Sequence, residues 1–234
     1  MIIQRRANEY LFITQGAHAA LAGDIMTDWR LGGLPAHPRR APILTATRRH
    51  DDGWEEEDAE LHVGEQGEAL DFISVPAAVK HRIWPRATDR LAGAPYVAAL
   101  VAQHAILVHG PLRDDPAWRG FFREMEERRD ALLGRSRVQD LDTLAGDYAF
   151  VRTGDLLSLI FCNGWSEAMP GNGYHAILKG ITLEIAPDPF AGRQIPLSVE
   201  ARVLPVRSYA TAADLRQAYA AAPVTEVHGV ATGS

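Results

Sequence analysis

The chain has one cysteine, Cys162, so it can form no internal disulfide, and nothing in its composition marks an oxidising compartment. It has no basic excess. Twenty-four Lys and Arg against 30 Asp and Glu leave a formal charge of −6, which argues against a dedicated nucleic-acid binder. It has no long apolar run; stretches such as 96–101 are far too short to span a bilayer, and no membrane partner is expected. The N-terminal segment MIIQRRANEYLF carries two arginines but no apolar core after them, so no secretory signal is expected and the expected location is cytoplasmic. Internal repeats are absent. The turn Gly171-Asn172-Gly173 lacks the preceding strand and following helix of a phosphate-binding loop. What is present is an ordinary globular composition. Over 234 residues, 47% are hydrophobic and 23% charged, enough to bury a sizeable core without covalent staples.

Hydrophobic periodicity predicts helices through the first two-thirds of the chain. Residues 14–29 place His18, Leu21, Ala22, Ile25 and Trp29 on one face, and Gly32-Gly33 ends that helix. A second helix is expected over 43–51, followed by a turn at Asp52-Gly53-Trp54 and an acidic loop. A third starts at Pro76 and ends near Ile83, because Pro85 follows. Residues 95–108 form a fourth, with His104 in its apolar stripe. A fifth follows Pro116, and a sixth covers 138–162 with breaks at Gly146 or Gly154. After Trp165 the pattern changes. Residues 177–185 and 197–206 read as two strands of an antiparallel ribbon, 211–222 as a short helix, and 224–234 as a frayed tail. The expected fold is therefore mainly α: a helical bundle over 1–165, with a small β-ribbon and helix over 166–223 packed on it.

Chemistry is expected where polar groups interrupt apolar stripes. His18, His50, His104 and Asp155 each sit in or beside such a stripe, and Asp51 follows His50 directly. A buried carboxylate or imidazolium without a partner costs several kcal/mol. The group is tolerated if these side chains meet one another or share a divalent transition metal, which satisfies imidazole and carboxylate together. Taken one at a time, each histidine also fits a core residue bonded to a backbone carbonyl. The aspartates after His50 likewise fit a helix end bonding nearby amides. Cys162 reads as a small buried hydrophobe.

The order His18, His50-Asp51, Asp155 resembles the H…HD…D pattern of the HD-domain superfamily of metal-dependent phosphohydrolases. More closely, the stretches GAHAALAGDIMTDW, HDDGWEEED, PYVAALVAQHAILV and DLLSLIFCNGW resemble an uncharacterised bacterial domain-of-unknown-function family with an HD-like helical core. The resemblance implies that His18, His50, Asp51 and Asp155 ligate one or two ions of Fe, Mn or Zn. Asp140, Asp142 and Asp147 compete with Asp155 for the last place, and His81 and His104 are further candidates for a second ion. The implied activity is hydrolysis of a phosphate ester or nucleotide by a metal-bound hydroxide, since such a metal brings the pKa of bound water near neutrality. Asp51 would then be catalytic, bridging metals or accepting the proton. Arg48, Arg49 and Arg82, with Arg86 and Arg90, are the cations available for a small phosphorylated substrate. Trp54 is the best placed of the five tryptophans to wall a pocket. Two other expectations stand beside it: a non-catalytic binding module for a small molecule or metal, and a degenerate HD scaffold for protein interaction, with the open edges of the ribbon forming a homodimer.

Overall fold

The computed structural model describes residues 1–138 and 140–234. Two strands, β1 (Ile2–Arg5) and β2 (Glu9–Ile13), precede the helices α1 (Gln15–Thr27), α2 (Arg40–Arg49), and α3 (Glu55–Glu60). A two-stranded sheet of β3 (His62–Val63) and β4 (Ala69–Leu70) leads into α4 (Ala77–Arg90), α5 (Pro95–Val108), α6 (Arg119–Gly134) and α7 (Leu141–Asn163). The chain ends in β5 (Met169–Pro170), β6 (His175–Lys179), β7 (Thr182–Ala186), β8 (Ile195–Pro205), α8 (Ala212–Ala221) and β9 (Val224–Gly233).

The expectation of a mainly-α bundle with a minor ribbon is overturned by a seven-stranded mixed sheet in the order β1-β2-β8-β9-β7-β6-β5. Three local differences produce it. Residues 2–13, assigned no strand from sequence, form β1 and β2, and β2 pairs with β8 through Phe12 opposite Arg202. The expected first ribbon strand folds back on itself as the β6–β7 hairpin, with Gly180 at φ 61° in the turn. Residues 224–233 are no frayed tail. They form β9, which lies between β8 and β7, antiparallel to the first and parallel to the second. These strands are short or weakly apolar, and the pairings that join them into one sheet, β2 with β8 and β7 with β9, link segments remote in the chain, so periodicity could not assign them.

The helices follow their local signals more closely. Thr14 caps α1 by accepting from the Ala17 amide. Asp140 caps α7 by accepting from the amides of Asp142 and Thr143, and Gly164 at φ 70° closes it. Neither Gly146 nor Gly154 breaks α7. Pro85 does not end α4 either; the helix continues to Arg90 because Ile83, Trp84, Ala87 and Thr88 around it are buried against neighbouring elements. The acidic run expected as a loop is the helix α3, where Glu55, Glu56, Glu57 and Asp58 occupy the first turn, which the helix dipole favours.

One face of the sheet supplies half of the main core. Along β8, Ile195, Leu197, Val199 and Ala201 are buried while Pro196, Ser198 and Glu200 face out. The inward side chains meet Leu21, Ile25 and Met26 of α1 and Leu157, Ile160 and Phe161 of α7. A second core joins α2, α4, α5, α6 and α7 around Ala46, Ala87, Leu100, Leu133 and Val151. The helices α1 and α7 therefore sit between sheet and helical layer, and α2 and α5 pack on them from the far side. The site lies where these four helices meet.

Candidate metal centre

His18, on the second turn of α1, is held by a second-layer contact. The Ser158 hydroxyl donates to the Asp155 carbonyl at 2.9 Å, so its oxygen is free to accept from His18 Nδ1 at 2.7 Å. His50 caps the C-terminus of α2 and donates from Nδ1 to the Thr47 carbonyl at 2.7 Å. Both rings thus spend their Nδ1 hydrogen away from the centre and turn Nε2 inward. Asp51 leaves the helical conformation at φ −105°, ψ 16°, so this carboxylate turns to the same side as its neighbour. Gly53 follows; a Cβ there would collide with the Ile83 carbonyl, and its absence lets the turn seat against α4. Asp155 enters from α7. Gly154 beside it allows α7 to approach, because a Cβ would stand 2.5 Å from Thr47 Cγ2 and 2.7 Å from Met26 Cγ.

The result is a tight set of donors. His18 Nε2 lies 3.1 Å from His50 Nε2, 3.1 Å from Asp51 Oδ2 and 3.6 Å from Asp155 Oδ1. His50 Nε2 lies 3.4 Å from Asp51 Oδ2 and 3.4 Å from Asp155 Oδ1. His18, His50, Asp51 and Asp155 are all buried. Ligands about 2.0–2.2 Å from one ion stand about 3.3–3.6 Å apart in a tetrahedron and about 2.8–3.1 Å apart as octahedral neighbours, so these spacings fit. Two imidazole lone pairs and two carboxylates facing one another repel unless a proton or a cation lies among them. The donor set therefore suits a divalent metal on chemistry as well as distance.

The same crowding shifts the titrations. Burial opposes the charge on His50, but Asp51 and Asp155 outweigh it and hold the imidazolium well above its ordinary range. Burial also opposes ionisation of Asp51 and Asp155, yet the facing histidines hold both carboxyls below the usual carboxylate range. His104, on α5, joins from the side. Its ring centroid is 4.8 Å from that of His50, its Nδ1 is 3.2 Å from the Tyr148 hydroxyl, and with His50 and Asp155 it forms a second triad of converging donors. Burial pushes His104 down to about 4, so its ring is neutral at pH 7.

Other sequence candidates stand elsewhere. His81 is not brought to this cluster; it stacks on Phe121 at 5.2 Å and meets the edge of Trp118 at 4.6 Å. Asp140 is the α7 cap and Asp142 is exposed. Asp147 is bound by Arg39 at 2.6 and 3.0 Å and by the Tyr96 hydroxyl at 2.7 Å. The arginines expected to meet phosphate are committed to carboxylates: Arg48 to Asp24, Arg49 to Asp52, Arg82 to Glu57, and Arg86 and Arg90 to Glu56.

Two cavities reach the cluster, and Asp51 lines both. The larger, about 770 Å³, is polar and holds Arg49 and Arg90 among Asp52, Glu55 and Asp58. The smaller, about 360 Å³, has His18, Asp51, His104 and Asp155 on its polar side and Trp54, Phe72, Trp84 and Leu159 among its apolar walls. Lys80 and His109 also line it. Trp54 is thus a wall, as its position beside His50-Asp51 suggested. Sequence reasoning missed Ser158, which holds His18, and Tyr148, which meets His104, from positions one turn after and two turns before Asp155 on the same helix face; that spacing was a usable signal. Nothing local pointed to Lys80.

Among the described residues no helix is long and apolar enough to cross a membrane. No curated protein and no solved structure matches the chain. A family model described as Protein of unknown function (DUF3891) matches residues 1–206, and the chain belongs to that family.

Proposed function

We propose that this protein is a metal-dependent hydrolase of the HD type that acts on phosphate esters. The observation that carries the reading is the convergence of His18 Nε2, His50 Nε2, Asp51 Oδ2 and Asp155 Oδ1 from α1, the C-terminal end of α2 and α7, with both Nδ1 atoms already committed. These four residues would hold the ion, with Fe, Mn or Zn suited to the mixed nitrogen and oxygen donors. His50 has only Nε2 to offer, so the two triads that share it cannot each hold an ion with a full set, and one ion is the assignment. A divalent cation supplies Lewis acidity that brings a water near neutral pKa. The protein's residues do the remainder. Asp51, kept ionised by its neighbours, accepts the proton of the attacking water. Ser158 and the Thr47 carbonyl keep the two histidines in the tautomer that leaves Nε2 available. The buried walls around Trp54 and Trp84 keep bulk water from the reacting bond.

The test is metal content of protein purified without chelators from metal-replete cells, alongside hydrolysis of p-nitrophenyl phosphate. About one equivalent of metal and measurable turnover are expected, both lost in His50→Ala and Asp51→Ala. A metal-free, inactive wild-type protein would overturn the reading. The apolar cavity favours one other reading, a non-catalytic binding module, which predicts ligand-dependent thermal stabilisation without turnover in the same preparation.

A further inference from the structure

The surroundings of the cluster restrict what can approach it. A nucleotide di- or triphosphate needs several unneutralised cations or a cradle of amides. The cavities offer little of either. In the larger one, Arg49 and Arg90 are already paired, and Asp51, Asp52, Glu55 and Asp58 leave it acidic. In the smaller one Lys80 is the only Lys or Arg in the lining, and among the described residues no carboxylate lies within ion-pair distance of it; its Nζ donates to the Ile73 carbonyl at 2.7 Å. Apart from the cluster's own His18, Asp51, His104 and Asp155, and from Gln15 and His109, the rest of that lining is apolar. Trp84 spends its Nε1 hydrogen on His109 Nε2 at 2.9 Å, so the face it turns to the cavity is that of an apolar ring. At the rim, Ile73, Val108 and Leu112 are 58%, 40% and 37% exposed, an apolar approach surface that continues the walls outward.

Resting on the hydrolase reading of the same site, we infer that the substrate is a monophosphate ester of a small apolar alcohol or phenol, and not a nucleotide polyphosphate. The cavity of about 360 Å³ suits a body the size of one or two rings. Lys80 attracts the single phosphate group, and the body lies against Trp54, Trp84 and the rim. In the reaction, a water oxygen bonds to phosphorus, and the bond from phosphorus to the ester oxygen breaks with its electron pair on that oxygen. The water's proton passes by way of Asp51 to the departing alcohol. Inorganic phosphate and the apolar alcohol are the products.

The inference is tested on manganese-loaded protein in two arms. In the first, kcat/KM for 1-naphthyl phosphate is expected to exceed that for ATP and for glycerol 2-phosphate by about tenfold or more. In the second, which needs no turnover, phenylphosphonate is titrated against tryptophan fluorescence. It is expected to bind, to bind about tenfold more weakly to Lys80→Gln and to Leu112→Glu, and to recover in Lys80→Arg, while ADP fails to compete. Both substituted side chains are solvent-accessible, and thermal melts confirm that the variants are folded. ADP binding as tightly as phenylphosphonate, or Leu112→Glu and Lys80→Gln leaving phenylphosphonate binding unchanged, would overturn the substrate class even if metal and turnover are present. Tight, variant-sensitive phenylphosphonate binding without turnover of any ester would support the ligand class and overturn the hydrolase reading instead.

Discussion

At the residue scale, the behaviour of the site follows from which ring nitrogen each histidine commits. Ser158→Ala removes the acceptor of His18 Nδ1 without touching the donor cluster. It is expected to weaken metal binding by about 10- to 100-fold in a competitive chelator titration, with the fold intact. The histidines also set a pH signature for the metal-free protein. Burial holds His104 at about 4 and His109 at about 3, against an ordinary 6.5, so between those values and 6.5 the unfolded chain binds more protons and stability falls as pH drops. His50 acts in the opposite sense. Its raised pKa adds stability that is complete below 6.5 and is lost as pH rises through its folded value. Asp51 and Asp155, held low, add stability present above 3.8 and lost as pH falls through their folded values. The melting temperature without metal should therefore peak near 6.5; a monotonic rise into the alkaline range would contradict the assignment. His18, His50, Asp51 and Asp155 were legible because a polar residue in an apolar stripe must find a partner. The divergence of His81 was not, because the same pattern also fits a ring stacked among aromatics.

At the element scale, two glycines of α7 separate local propensity from packing. A methyl group added at Gly146 would meet nothing within 4 Å, whereas one at Gly154 would press on Thr47 and Met26 at contact-breaking distances. Gly146→Ala should be neutral or stabilise by up to about 1 kcal/mol through helix propensity. Gly154→Ala should destabilise by about 1–3 kcal/mol in denaturant melts and, by lifting Asp155 away from α1 and α2, weaken metal binding as well. Equal effects at the two positions would mean that α7 is not wedged between the ligand-bearing helices. Caps and periodicity made α1, α5 and most of α7 readable from residues alone. Pro85 misled because its lost backbone hydrogen bond is offset by burial of Ile83, Trp84 and Ala87, which no local rule records.

At the scale of the whole molecule, the sheet ties the ends of the chain together. A chain ending at residue 223 loses the strand that joins β8 to β7 and uncovers the packed faces around Leu183, Ile185 and Leu197. It is expected to aggregate or to melt without a cooperative transition, whereas a frayed tail could be removed without effect; circular dichroism and light scattering distinguish the two. The residues alone determined that no disulfide forms within the chain, the acidic balance, the main helices and the polar positions that need partners, because composition, capping and periodicity act over a few turns of chain. Only the tertiary structure decided that seven strands form one sheet, that Phe12 pairs with Arg202, that Asp51 and Asp155 both face the His18–His50 pair and that the cavity above them is walled by apolar rings. Those are pairings between segments far apart in the chain, and they are settled by which buried faces fit together, a property that no single segment carries.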